Sequence, residues 1–134
     1  MNAHSRALAD AARALLGTPF RLYGRDPASG VDCIGLVACS LVACGQEVPE
    51  IPRYALRNLS LSPFLGLLAE AGFAPVTTQV QPGDLLLLKP SPGQFHLAIA
   101  VDGRAIAHAH AGLGRVVLSP LPAPHCISGR WRLT

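Results

Sequence analysis

Residues 32–45 read Asp-Cys-Ile-Gly-Leu-Val-Ala-Cys-Ser-Leu-Val-Ala-Cys-Gly, and no other stretch limits the fold so tightly. Asp32 is a good N-cap and Gly45 a good C-terminal stop, so the segment is predicted to be a helix. Between them every side of that helix is apolar or small. A helix hydrophobic all round has to be buried all round. The rest of the chain must therefore wrap it. The apolar run from Cys33 to Cys44 is too short to cross a bilayer, which takes about 20 residues, so no membrane span is expected.

The 134 residues are enough for one domain, expected to cover 1–134. Leu8, Ala12 and Leu15 share a stripe that predicts a first helix from Ala3 to Leu16, ended by Gly17 and Pro19. The turn-rich loop GTPFRLYGRDPASGV follows it. After the central helix, QEVPEIPRYALRN reads as an extended surface connection. Ser62-Pro63 opens a third helix that runs to Gly72. From Pro82 onward the pattern turns to short strands: 85–88, 95–101, 105–109, 116–118 and 127–133. Helices first and strands second predict an α+β domain, its central buried helix packed on a mainly antiparallel sheet.

Composition excludes several classes. Hydrophobic residues make up 50% of the chain and charged residues 14%, which argues against disorder. The net charge is +3 and the arginines are scattered, so no nucleic-acid partner is expected. Arg6, Asp10 and Arg13 interrupt the start, so it reads as a helix rather than a signal peptide, and synthesis in the cytoplasm is expected. The cysteines, Cys33, Cys39, Cys44 and Cys126, have no zinc-type spacing. Neither metal nor cofactor is expected, and a His108/His110/Cys126 metal set is disfavoured. Cys39 and Cys44 read as small buried hydrophobes.

Cys33 differs by position. As the first residue after the cap, it meets the free N–H groups and positive end of the helix, which are expected to lower its pKa. A thiolate nucleophile also needs a base. In the strand GQFHLAIAV, His96 alternates onto one face with Ala98 and Ala100, and the Cys33 helix is expected to cover that face. His108 and His110 follow in AIAHAHAG. A two-residue turn at Asp102-Gly103 would set His96 opposite Ala109. A three-residue loop, Val101-Asp102-Gly103, would set His96 directly opposite His108. The local sequence leaves both registers open, and a functional pairing of the histidines needs the second or an equivalent bulge.

These residues resemble the NlpC family of papain-like cell-wall cysteine peptidases. LGTPF, DCIGL, QPGDLLLL, HLAIAV and IAHAH match that family's motifs in order and spacing, from Leu16 to about Leu118. Ile34 and the ending GRWRL look most like the branch carried by phage tails and gene-transfer agents. The resemblance implies a papain-like NlpC-type fold with Cys33 as nucleophile, His96 as general base and His108 orienting His96. It also implies an oxyanion contact from the Cys33 N–H, with Asp32, Phe20, Tyr23 and His110 as further residues toward substrate or oxyanion. The implied partners are the peptide part of peptidoglycan and phage-tail or gene-transfer-agent proteins, in a particle that carries the enzyme. Phe20 stands where the family has Tyr, Tyr23 where it has Gly, and Ile34 where it has Ser. Phe20 brings no hydroxyl to the site. That departure keeps a catalytically silent tail-assembly component as an alternative, and the resemblance also leaves a thiol acyltransferase or amidase of the same fold as one, since related folds carry that chemistry. Asp84 reads as a turn-fixing residue, Trp131 as core or edge, and His4, His125 and Cys126 as surface or packing residues.

Overall fold

A computed structural model describes residues 2–54, 62–91 and 94–134. Helix α1 is Ala3–Ala14, capped by Asn2, whose side chain accepts from the Ser5 N–H. The Asn2 amide also donates to the Leu133 carbonyl at 2.7 Å, pinning the helix start to the last strand. The helix ends two residues before the predicted Leu16, because the N–H groups of Leu15 and Leu16 fold back tightly onto the Ala12 and Arg13 carbonyls.

The central helix, α2, is Cys33–Ala43, and Asp32 caps it by accepting from the Gly35 N–H at 2.8 Å. It is buried from Cys33 through Leu41, as its composition requires. Only the last turn escapes: Val42 is 66% exposed. Gly35 is obligatory for a steric reason, since a Cβ there would collide with the Gly24 carbonyl oxygen. The loop before the helix thus lies directly on its first turn. That loop contains a small hairpin, β1 (Arg25–Asp26) and β2 (Gly30–Val31), which the turn-rich sequence concealed.

Helix α3, Ser62–Glu70, starts as predicted and stops short of Gly72. Six strands follow: β3 Phe73–Pro75, β4 Leu85–Ser91, β5 Gln94–Ala100, β6 Ala105–His110, β7 Arg115–Pro120 and β8 Ile127–Leu133. They form one sheet in the order β3-β8-β4-β5-β6-β7, every neighbouring pair antiparallel. The α+β expectation holds, and β3 is the strand it omitted.

Helices α1 and α2 pack on one face of this sheet. Leu8, Leu36 and Val37 meet Leu85, Ile99 and Ala107 there. The expected covering of the His96/Ala98/Ala100 face by α2 is therefore wrong. Ala98 and Ala100 pack on the opposite side with Leu86 and Ile106. Small residues there accommodate the reverse layer of the sheet rather than a helix.

The β5–β6 register also differs from both expectations. Ile99 stands opposite Ala107, and the Val101 N–H bonds the Ala105 carbonyl, so the turn is Asp102-Gly103-Arg104. The Asp102 side chain sets this turn by accepting from the Arg104 and Ala105 N–H groups at 2.7 and 2.9 Å. The connection predicted as a surface strap is partly inside: Tyr54 is 7% exposed and Val48 packs against the core. Its remainder, 55–58, lies outside the described residues. No described helix is long and apolar enough to cross a membrane.

Candidate active site

The site begins at the N-terminus of α2. Cys33 is 3% exposed and sits with Ile34 and Tyr54 in a small apolar cluster that Leu97 closes. Its thiol is pushed up to about 11, the reverse of the expected lowering. Burial is the dominant cause, and the charge of Asp32 adds to it. The N–H groups of Leu97, Ile34 and Cys33 itself act in the stabilising direction, but they do not outweigh burial. The helix-terminus argument named a real effect and lacked the larger one.

The histidines come together across β5, β6 and β7. His96 Nε2 lies 2.9 Å from His108 Nδ1, and His108 Nε2 lies 2.7 Å from Ser119 Oγ. The two rings are edge-on, 5.1 Å apart. This pairing is diagonal rather than directly cross-strand. Residues two apart across a sheet remain within reach of long side chains, and the observed register keeps even-numbered residues of both strands on one face. The β5–β6 ladder is confined to Ile99–Ala107 and Ala100–Ile106 and does not extend to His96. Cys33 enters at that open end, beside the Leu97 N–H, and shares with His96 an otherwise apolar cavity of about 80 Å³.

Burial and the neighbouring histidines press His96 down to about 4. His108 is also lowered, by burial and then by His110. At neutral pH the site therefore rests as a neutral thiol beside neutral imidazoles. His110 is 5.7 Å from His108, centroid to centroid, and accepts the Leu113 N–H at its Nδ1, so it caps the β6–β7 turn. It is His108 that touches His96.

The other predicted residues separate. Asp32 is fully buried and accepts from Gly35, from the Tyr23 N–H at 2.8 Å and from the Tyr54 hydroxyl at 2.5 Å. Tyr23 adopts a left-handed backbone (φ 61), and its ring meets the Tyr54 ring edge-on at 5.1 Å. Phe20 packs into the main core instead of joining the Cys33 cluster. Tyr54 and Ser119 are the participants that sequence reasoning missed. Period-2 alternation places Ser119 on the His108 face once the β6–β7 register is known, with Ile106 opposite Ser119. Nothing local marked Tyr54, which follows two prolines.

The remaining cysteines and acids behave as structural parts. The Cys39 thiol donates to the Arg25 carbonyl at 3.1 Å, and Cys44 lies at the C-terminus of α2. Cys126 and His125 are exposed on a 3-10 turn, Pro124–Cys126. Among the described residues no group of three His, Cys, Asp or Glu side chains is placed to hold a metal ion. Asp84 is buried and bonds Arg130 at 2.8 Å and Arg132 at 2.7 Å, the two arginines that flank Trp131.

A cysteine at the start of a buried helix, packed against a histidine-bearing antiparallel sheet, defines the class of α+β fold to which known structures can be compared. A profile of the NlpC/P60 family matches residues 17–128, and the chain belongs to that family. Its fold is similar to NlpC2 from Trichomonas vaginalis, with a TM-score of 0.71 and 17% identity over 98% of this chain and 47% of that one. It is also similar to the NlpC/p60 domain of the peptidoglycan hydrolase SagA (TM-score 0.66, 23% identity, 97% of both chains). A third similar structure is the peptidoglycan hydrolase RipB from Mycobacterium tuberculosis (0.61, 22% identity, 96% of this chain and 63% of that one). The chain spans less than half the length of the Trichomonas protein. No curated protein matches it.

Proposed function

We propose that this protein is a cysteine peptidase that cleaves amide bonds in the peptide part of peptidoglycan. The observation that carries this reading is the His96–His108–Ser119 hydrogen-bond chain, whose His96 end lines the same cavity as Cys33. Family membership and the similarity to SagA and RipB, both described as peptidoglycan hydrolases, support the substrate.

The proton inventory sets the mechanism. For His96 to accept a proton at Nδ1, its Nε2 must carry hydrogen and donate to His108 Nδ1; His108 then donates from Nε2 to Ser119. Cys33 gives its proton to His96 as sulfur attacks the carbonyl carbon, because thiol and imidazole are both neutral at rest. The N–H of Cys33 faces the developing oxyanion at the helix N-terminus. Collapse expels the amine, which takes the proton from His96. Water, deprotonated by His96, then hydrolyses the thioester. His108 holds the ring and its tautomer.

The motifs Ile34 and GRWRL favour the phage-tail and gene-transfer-agent branch, so delivery by a particle is part of the proposal. Digestion of purified peptidoglycan, with muropeptides resolved by mass spectrometry, tests the peptidase. Product is expected from the wild type and none from Cys33→Ala; equal product from both overturns the nucleophile. One observation favours the alternative of a catalytically silent assembly component. The thiol is 3% exposed and raised to about 11, which is the state of an idle core cysteine. Cys33-dependent product excludes that alternative.

A further inference from the structure

Ser119 ends the hydrogen-bond chain that starts at His96. It lies on β7, an edge strand of the sheet, and is half-buried. The register sets Val117 opposite His108 and Ser119 opposite Ile106, so Ser119 reaches His108 on the diagonal. Among the described residues its Oγ is the one group bonded to His108 Nε2, at 2.7 Å. His110 offers no second acceptor there, since its Nδ1 is taken by the Leu113 N–H. At neutral pH both rings of the pair are neutral, and a neutral imidazole carries one N–H. The chain can therefore run in two directions. In the first, His96 Nε2–H donates to His108 Nδ1, and His108 Nε2–H donates to Ser119. In the second, Ser119 donates to His108 Nε2, His108 Nδ1–H donates to His96 Nε2, and His96 Nδ1 carries hydrogen. The second direction blocks the base, because Nδ1 is the nitrogen of His96 that His108 leaves free. Once His96 has taken the thiol proton, both its nitrogens carry hydrogen. Only the first direction then survives, and Ser119 has to accept.

We infer that Ser119 is a positioning residue for the reaction: by accepting from His108 Nε2 it holds the chain in the direction that leaves His96 Nδ1 free to take the Cys33 proton. The inference rests on the peptidase reading. The half-buried setting suits the role, since the oxygen faces His108 while the hydroxyl hydrogen can turn to water. The proton passes from sulfur to His96 Nδ1, and the hydrogens of His108 and Ser119 stay where they are. The titratable groups that face the reacting pair are Asp32 and Tyr54 at the thiol, and His108 and His110 at His96. His108 is thus the path by which Ser119 acts.

Ser119→Ala and Ser119→Thr test this by tautomer, turnover and thiol reactivity. Nitrogen-15 NMR of labelled histidines in the wild type at neutral pH is expected to find hydrogen at Nε2 of both His96 and His108, and a mixture of tautomers in Ser119→Ala. On a soluble stem peptide, Ser119→Ala should lower kcat about fivefold, the worth of one hydrogen bond, at unchanged KM. Alkylation of Cys33 should move to higher pH against the exposed Cys126, because the imidazolium that accompanies the thiolate has lost support. Ser119→Thr keeps the hydroxyl and should restore all of these. Hydrogen at Nδ1 of both rings in the wild type overturns the inference. Wild-type kcat and alkylation profile in Ser119→Ala overturn it as well. So does a loss that Ser119→Thr, with an unchanged urea midpoint, fails to restore, which is the mark of packing alone. If the wild type gives no Cys33-dependent product, the peptidase reading falls, and the tautomers and the alkylation profile still decide the role of Ser119.

Discussion

Two aspartates in this protein are fully buried, and they are held in opposite ways. Asp84, in the turn before β4, receives Arg130 at 2.8 Å, Arg132 at 2.7 and 3.0 Å, and the Gln81 N–H at 3.0 Å. Asp32, before α2, receives two backbone N–H groups and a tyrosine hydroxyl, with no cation bonded to it among the described residues. A carboxylate matched by cations is electrically closed. It ties the turn to β8 and projects little field. A carboxylate held by neutral donors keeps its charge visible to what lies beside it, and Cys33 lies beside it. One region is a lock; the other acts on the electrostatics of the Cys33 thiol.

Breaking the lock has the largest expected effect. Asp84→Ala leaves two mostly buried guanidinium groups without a carboxylate, with only Thr78 and Gln79 oxygens to accept from them, and is expected to cost about 3 to 5 kcal/mol, read from the urea midpoint. A loss below about 1 kcal/mol would place Asp84 in the class of exposed ion pairs.

Acidification comes next and acts on the other region. The native His96 resists protonation down to about 4, whereas an unfolded histidine takes its proton near 6.5. Between those values the unfolded chain binds more protons, so stability rises with pH and is lost as pH falls through the window. The loss is expected to approach about 3 kcal/mol at pH 4, and His96→Gln should flatten that slope. An unchanged slope would transfer the effect to another group.

Asp32→Asn is expected to cost about 2 kcal/mol through weakened capping and hydrogen bonds to a charge. It should also move Cys33 alkylation to lower pH, by removing the negative charge that helps to hold the thiol up. The exposed Cys126 on the same chain is the internal reference. If the Cys33 profile stays fixed against Cys126, the charge of Asp32 does not reach the thiol. The smallest effect is that of Tyr54→Phe, about 1.5 kcal/mol for one hydrogen bond to a carboxylate. It should shift the Cys33 profile to higher pH, opposite in sign to Asp32→Asn, because a donor that quiets the charge is gone.

The two aspartates also differ in how legible they were. Asp84 was readable as structural, because Asp after Pro-Gly fixes a turn within its own few residues. That turn also needs Gly83, whose φ of 90° and close approach to the Ser5 carbonyl exclude a side chain. Asp32 was readable as a cap for the same local reason. Its tie to Tyr54 spans 22 residues, and nothing in an extended Pro-rich stretch announces which side chain turns inward. Cys33 and the two histidines were identifiable as residue types in a spacing. Their electrostatic state was not, because burial depends on what the rest of the chain piles on top of them.

The hairpin shows the same division. Asp102 and Gly103 announce a turn, and both registers considered are compatible with it. The observed third register places Arg104 in the loop, through two hydrogen bonds to the Asp102 side chain. It preserves the parity that lets His96 and His108 share a face.

Sequence alone determined the elements whose causes are local: a capped, wholly apolar helix that had to be central, a helix-then-strand order, and a cysteine at the one helical position where N–H groups converge. Tertiary structure decided everything that depends on distance through space. It chose which sheet face α2 covers, aligned His96 diagonally with His108 and Ser119, brought Tyr54 onto Asp32, and raised the Cys33 thiol by burying it. Periodicity and capping are properties of a few neighbouring residues, whereas register, desolvation and charge are properties of the packed whole.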